Sequence, residues 1–254
     1  MKIIAISNQK GGVGKTTTAT TLAYGLKLLG KRVLLVDCDP QGNSTDTWRA
    51  NNTEGYPTLS DLLFTNAPAK DCIQHTEIGD ILAGDPVLED ADKHLKGIAG
   101  FYRLKKRLEP LLPLYDHIII DTPPNLGLLL QNALIAAEGV IVPVTCGRYA
   151  LQGMDRFIET VNDIKSQPNP DLEVLGMLLV RYLGRTVLAR EVTTGLPPMA
   201  ESLGTSVFEA KIRQTQAVDN AQAERLPLQR YSPEATAAID YAELIEELRK
   251  RGVV

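Results

Sequence analysis

Residues 9–17 bring together the residue types that bind phosphate: Gln9, Lys10, Gly11, Gly12, Val13, Gly14, Lys15, Thr16 and Thr17. Glycines let successive backbone N–H groups turn inward as an anion cradle, and a helix starting at Lys15 adds the positive end of its dipole. From that position the Lys15 ammonium reaches the β- and γ-phosphates of a nucleotide, and the Thr16 hydroxyl is a ligand for Mg²⁺. The competing reading is a flexible glycine turn; the apolar run before the loop and the helical pattern after it favour the cradle. The strict G-x-x-x-x-G-K-[ST] spacing is not met, because Gln9 stands five before Gly14, and Lys10 adds a second ammonium instead. A lysine pointing out of the loop is electrostatically idle unless it meets a phosphate held by another subunit, which hints at a sandwich homodimer.

Three aspartates follow at the ends of apolar runs. Asp37 and Asp39 lie in VLLVDCDPQGN (33–43), and Asp121 closes IIID (118–121). Alternation along a strand places both carboxylates of D-x-D on one side, where one supports a metal shell and the other orients an attacking water. The alternative for Asp39-Pro40 is a turn, which Asp-Pro starts readily. An ionised Asp121 at the end of so apolar a run needs a metal or polar partners.

KGGVGKTT (10–17), VLLVDCDPQGN (33–43) and IIIDTPP (118–124), in that order and spacing, resemble the ParA/Soj branch of the deviant Walker A ATPases, a group that also includes the MinD proteins. VIVPV (140–144) and YALQG (149–153) are similar to the partition members in particular. The resemblance implies ATP and Mg²⁺ as cofactors, with Lys10, Lys15 and Asp39 catalytic and Asp39 orienting the water. It places Thr16, Asp37 and Asp121 around the metal, and Lys10 in the partner's site in the manner of an arginine finger. Residues 212–215 fall at the adenine, with Arg213 and Thr215 standing where the family has proline and asparagine. The resemblance also implies non-specific DNA binding through arginines such as Arg181, Arg185, Arg190 and Arg213, a ParB-like adaptor, and slow, partner-stimulated hydrolysis. A MinD-like or cargo-positioning ATPase acting on a membrane or a non-DNA cargo is the alternative.

The elements that must position these residues are legible from periodicity. Residues 2–7, 32–37, 117–121, 139–144 and 172–180 read as strands buried on both faces, with 78–82 and 206–208 as weaker candidates. Residues 15–29, 88–108, 125–137, 152–165, 187–203, 214–224 and 233–250 have helical pattern or composition. Such alternation predicts one α/β P-loop NTPase-like domain over 1–254, a mostly parallel twisted sheet with helices on both faces.

Composition fits an ordinary globule: 254 residues, 44% hydrophobic, 23% charged and net −4. The acidity is regional, since residues 40–100 carry ten acidic against four basic side chains, so a local basic surface elsewhere is compatible with DNA. Residues 176–230 hold seven basic and five acidic. The cluster at 103–107 (RLKKR) reads first as a solvated helix face and second as a DNA contact. The three cysteines lack any C-x-x-C pairing, which suits a reducing cytoplasm, with nucleoid association implied for the ATP state. No apolar run approaches a membrane span, and the acidic residues of the final helix predict that it packs on the domain rather than on lipid. Trp48 reads as a surface packing residue, and Cys38 as a structural thiol facing away from the two aspartates.

Overall fold

Runs of aliphatic residues without polar alternation need apolar contact on both faces, which the middle layer of an α/β sandwich offers. In the computed structural model, which describes residues 2–147, 151–184 and 186–254, these runs form one eight-stranded sheet. The first half of the chain supplies β1 (Ile3–Ile6), α1 (Lys15–Leu28), β2 (Val33–Asp37), α2 (Asn43–Thr47), α3 (Leu59–Phe64), β3 (Gln74–His75) and β4 (Asp80–Leu82). Three short helices, α4 (Ala91–His94), α5 (Gly97–Phe101) and α6 (Arg103–Leu108), lead into β5 (His117–Asp121). Then come α7 (Leu128–Ala136), β6 (Gly139–Thr145), α8 (Met154–Ser166), β7 (Glu173–Tyr182) and α9 (Val187–Ser202). The chain finishes with β8 (Val207–Arg213), α10 (Gln216–Ala223), α11 (Leu228–Tyr231) and α12 (Thr236–Lys250).

The strand order is β3-β4-β2-β5-β1-β6-β7-β8, parallel except for the edge strand β3. In register, Ile6 pairs with Asp121 and Asp37 pairs with Asp121, so the loops leaving β1, β2 and β5 emerge side by side. Open parallel sheets bind ligands at this carboxyl edge. Alternation along the strands divides the interior in two. Ile4, Ile6, Leu35 and Ile119 pack with Leu22 and Leu26 of α1 and Tyr241 and Leu244 of α12. Ile3, Ala5, Leu34, Val36, Ile118 and Ile120 pack on the other face with Leu62, Leu104, Leu134 and Phe157. Each fully buried aliphatic side chain contributes about 1.5–3 kcal/mol, so the strands that carry the loops are among the best-anchored parts of the chain.

Several expectations are corrected. The single helix expected over 88–108 is a 3₁₀ turn (Pro86–Asp90) followed by α4, α5 and α6. The chain breaks where Gly97 takes φ 63°, and it doubles back so closely that a Cβ on Gly100 would stand 2.6 Å from the Leu95 carbonyl carbon. Two arginines of the 103–107 cluster are not a solvated face. Arg103 donates to the Leu63 carbonyl at 2.8 Å and to Thr65 at 2.7 Å, and Arg107 donates to the Leu62 carbonyl at 2.9 Å and to Ala67. They cap the carboxyl end of α3, and only Lys105 and Lys106 are exposed. Trp48 is core, 2% exposed. Cys38 is buried in the core opposite α1, as alternation predicts. The last helix packs as expected, with Tyr241, Leu244, Ile245 and Leu248 buried and the Tyr241 hydroxyl 2.9 Å from that of Thr18. No helix among the described residues is long and apolar enough to cross a membrane.

Gly176 in β7 lies against Phe208 of β8, and a Cβ there would stand 2.5 Å from the ring. Gly176→Ala is expected to lower stability by about 1–3 kcal/mol in urea unfolding. Phe208→Leu in the same background should recover part of the loss.

Candidate functional site

The loop between β1 and α1 is anchored at its start. Asn8 donates to the Pro143 carbonyl at 2.8 Å and accepts the Lys10 N–H at 3.0 Å, while Gln9 donates to the Gly153 carbonyl. Gly12 and Gly14 take φ of 71° and 78°, a left-handed region that side chains disfavour, so the glycines are needed for the backbone path itself. Lys15 is 7% exposed and donates to the Lys10 carbonyl at 2.8 Å. Burial lowers its pKa, against the pull of Asp121 and Asp39.

A cavity of about 520 Å³ opens over this loop. At the loop it is lined by Gly11, Gly12, Gly14, Lys15, Thr16, Thr17 and Asp39, and elsewhere by residues 212–215 with Val218, Asp219, Gln222 and Tyr241, Gln222 donating to the Thr17 hydroxyl at 3.1 Å. Val13 is buried beneath the loop. Lys10 belongs to the loop, yet its side chain does not line the cavity.

The three aspartates differ in burial and in hydrogen bonding. β2 ends at Asp37, and Cys38 still donates its N–H to the Asp121 carbonyl at 2.9 Å before the chain turns at Asp39. Asp39 lines the cavity and also shapes the turn, its carboxylate accepting the Gln41 N–H at 3.0 Å. Asp37 is fully buried, with both oxygens in use: Oδ1 accepts the Asp39 N–H at 3.1 Å, and Oδ2 accepts the Thr45 N–H and hydroxyl at 2.8 Å each. It is not among the side chains that line the cavity. Asp121 is also fully buried; Oδ2 accepts the Ser44 hydroxyl at 2.8 Å, while Oδ1 has no hydrogen bond among the described residues.

Burial raises the pKa of both Asp37 and Asp121, and the neighbouring Asp121 raises that of Asp37 further. For Asp121 the Thr16 and Ser44 hydroxyls and the Lys15 ammonium pull the other way. Of these two buried carboxylates only Asp121 has an ammonium, Lys15, acting on it, so the pair is short of positive charge. That imbalance, the orphaned Asp121 oxygen and the adjacent Thr16 hydroxyl suit a hard, oxygen-seeking divalent cation. No cluster of three or more His, Cys, Asp or Glu ligands occurs among the described residues.

Sequence reasoning missed Ser44 and Thr45, which hold Asp121 and Asp37 from α2. It also missed Gly84, where a Cβ would stand 2.8 Å from the carbonyls of Asp37 and Asp39. The only signal for the hydroxyls was their place just after the second motif. Of the expected base-end side chains, Arg213 is committed to Asp240 through Nε and Nη2, and Thr215 caps α10 by accepting the Ala217 N–H at 3.3 Å. Of the expected DNA contacts, Arg181 and Arg213 line the cavity, Arg190 is exposed on α9, and Arg185 lies outside the described residues.

A strand, a glycine loop and a helix N-terminus at the carboxyl edge of a parallel sheet, with a strand-end aspartate behind them, define a P-loop nucleotide-binding protein. The family described as an AAA domain matches residues 1–174, and the chain belongs to the ParA/Soj family of P-loop ATPases. It is 37% identical over 254 residues to the sporulation initiation inhibitor protein Soj of Bacillus subtilis (strain 168), covering 99% of each chain. It is 34% identical over 256 residues to the chromosome partitioning protein ParA of Caulobacter vibrioides (strain NA1000 / CB15N), covering 99% of this chain and 95% of that one. Among solved structures, cobyrinic acid a,c-diamide synthase from Mycobacterium smegmatis with bound ATP analog and magnesium superposes with TM-score 0.86 at 32% identity, over 98% of this chain and 94% of that one.

Thr45→Val deletes the hydroxyl that donates to buried Asp37 and accepts the Gly84 N–H at 2.8 Å. It is expected to cost about 1–3 kcal/mol in chemical denaturation. Thr45→Ser, which keeps the hydroxyl, should cost less than half of that.

Proposed function

We propose that this chain is an ATP hydrolase of the partition type: a homodimer closed by ATP and Mg²⁺ that binds DNA without sequence preference and acts with a ParB-like adaptor. The adaptor stimulates an otherwise slow hydrolysis, and hydrolysis releases the DNA. The observation that carries this reading is the position of Lys10, which sits on the phosphate loop without lining its own chain's cavity, as suits a lysine serving a second subunit's nucleotide.

Phosphoryl transfer asks the protein for positioning and charge, and the site offers both. The backbone N–H groups of the loop and Lys15 hold the phosphates, Thr16 and Asp121 hold Mg²⁺, and Asp39 orients the attacking water. Asp37 fixes the start of the turn that carries Asp39, through the Asp39 N–H. When bound, Mg²⁺ supplies charge neutralisation between phosphate oxygens. With Arg213 and Thr215 engaged elsewhere, residues 212–215 meet the base through backbone groups.

The DNA surface rests on exposed Arg190 and on Arg185, with Arg181 at the rim of the cavity; Arg213, tied to Asp240, contributes least. Such contacts are to phosphates and weaken steeply with salt. The domain works in the cytoplasm and joins the nucleoid in its ATP state. The buried apolar face of α12 speaks against the membrane-docked alternative.

Retention on DNA across a salt series is expected with ATP and not with ADP; equal retention in both would reject the reading. Asp39→Ala should leave an ATP-bound, DNA-bound dimer whose phosphate release falls about 10²–10⁴-fold. Lys10→Gln should keep the affinity for ATP and lose the dimer cycle, with partner-stimulated turnover down about 10³-fold or more. Wild-type turnover by Asp39→Ala would remove the water-orienting role.

A further inference from the structure

Two helices flank the mouth of the cavity from opposite ends of the sequence. From α2, Asn43, Asp46 and Thr47 line it; from α10, Val218, Asp219 and Gln222 do. Both helices end in the same way. At α2 the Arg49 N–H bonds to the Asp46 carbonyl and the Ala50 N–H to Thr45, each at 3.0 Å. At α10 the Arg225 N–H bonds to Gln222 and the Leu226 N–H to Ala221, again at 3.0 Å. These are Schellman caps, and their C′ residue takes the left-handed conformation that glycine fills most cheaply. Here both C′ residues are arginines, Arg49 at φ 53° and Arg225 at φ 54°. An arginine in place of glycine carries a backbone strain that its side chain must offset.

The two side chains cross. Arg49 reaches from α2 to the carboxyl end of α10, donating to the Arg225 carbonyl at 3.2 Å and to Glu224 at 3.4 Å. Arg225 reaches back to Asp46 of α2 at 3.0 Å. Glu77, just before β4, steadies the pair by binding Arg49 at 2.8 Å and Arg230 at 3.5 Å. Each exposed ion pair alone is worth little. Together they join two segments that have no covalent reason to be neighbours, and the guanidinium of Arg49 sits where the α10 dipole is negative. From α2 the connection runs inward through Ser44 to Asp121 and through Thr45 to Asp37.

We propose that Arg49 and Arg225 form a clasp that couples the base end of the cavity to the carboxylates of the metal site, making them positioning residues for hydrolysis. The inference rests on the reading of the cavity as an ATP site. A nucleotide whose base orders α10 thereby holds α2, and with it Ser44 against Asp121. Without the clasp, α2 is held by the packing of Trp48 in the core and by the bonds of Ser44 and Thr45.

The test uses the full chain with Mg-ATP and compares wild type with Arg49→Gly, Arg225→Gly, Arg225→Lys and Ser44→Ala. Fluorescent ATP-analogue titration, phosphate release at saturating ATP and thermal melting are read for each. Glycine suits both C′ positions, so the glycine variants are expected to melt no lower than wild type while kcat falls about threefold to tenfold. Arg225→Lys keeps a cation for Asp46 and should retain most of the activity. Combining Arg225→Gly with Ser44→Ala should lower kcat by less than the product of the two single effects, because both act on one connection. Wild-type kcat in both glycine variants would overturn the clasp, as would an equal loss in Arg225→Lys or independent effects in the double variant. Failure of the wild type to bind the ATP analogue would overturn the reading of the cavity instead, and the clasp with it.

Discussion

Two buried carboxylates, Asp37 and Asp121, stand in register on paired strands, and one buried ammonium, Lys15, acts on Asp121. In the low dielectric of the sheet's edge this arrangement is short of positive charge, and the rest of the site can be understood as managing the shortage. Thr45 and the Asp39 N–H satisfy Asp37 fully, which removes it from competition for ligands. Ser44 satisfies one oxygen of Asp121 and leaves the other aimed at no protein donor among the described residues. A site in this condition favours a divalent cation accompanied by phosphates, because each partner supplies what the other lacks.

The sheet makes that arrangement possible at tolerable cost. Placing β5 between β1 and β2 brings the phosphate loop, the Asp37–Asp39 turn and Asp121 to one edge. The alternating aliphatic side chains of the same strands fill both cores, so the backbone under the charges cannot relax away from them. Tyr241 and Thr18 lock the final helix onto the helix that begins at the phosphate loop, and Arg213 with Asp240 ties β8 to it as well. The carboxyl-terminal segment is in this way part of the nucleotide cavity.

Much of this was legible along the chain because phosphate binding is a local problem. Glycines, a lysine and a threonine within nine residues specify a backbone path and a helix start, and apolar runs of the right length specify buried strands. What escaped was made of short or crossing features. Segments such as α2, α3 and β3 are too brief to show a period. The arginines of 103–107 looked solvated because the carbonyls they cap lie some forty positions earlier, and Trp48 looked superficial because its burial comes from other elements.

The sequence by itself determined the phosphate loop, the strand-end aspartates, the parallel α/β architecture and the family, since each is written in neighbouring residues whose chemistry does not depend on distant partners. Tertiary structure alone decided which aspartate lines the cavity, which hydroxyls hold the other two, that Arg213 is spoken for by Asp240, and that Arg49 and Arg225 cross between two helices. The physical reason is the same in each case: burial, charge balance and hydrogen-bond satisfaction are set by what the fold brings within about 3 Å, and sequence separation carries no information about that distance.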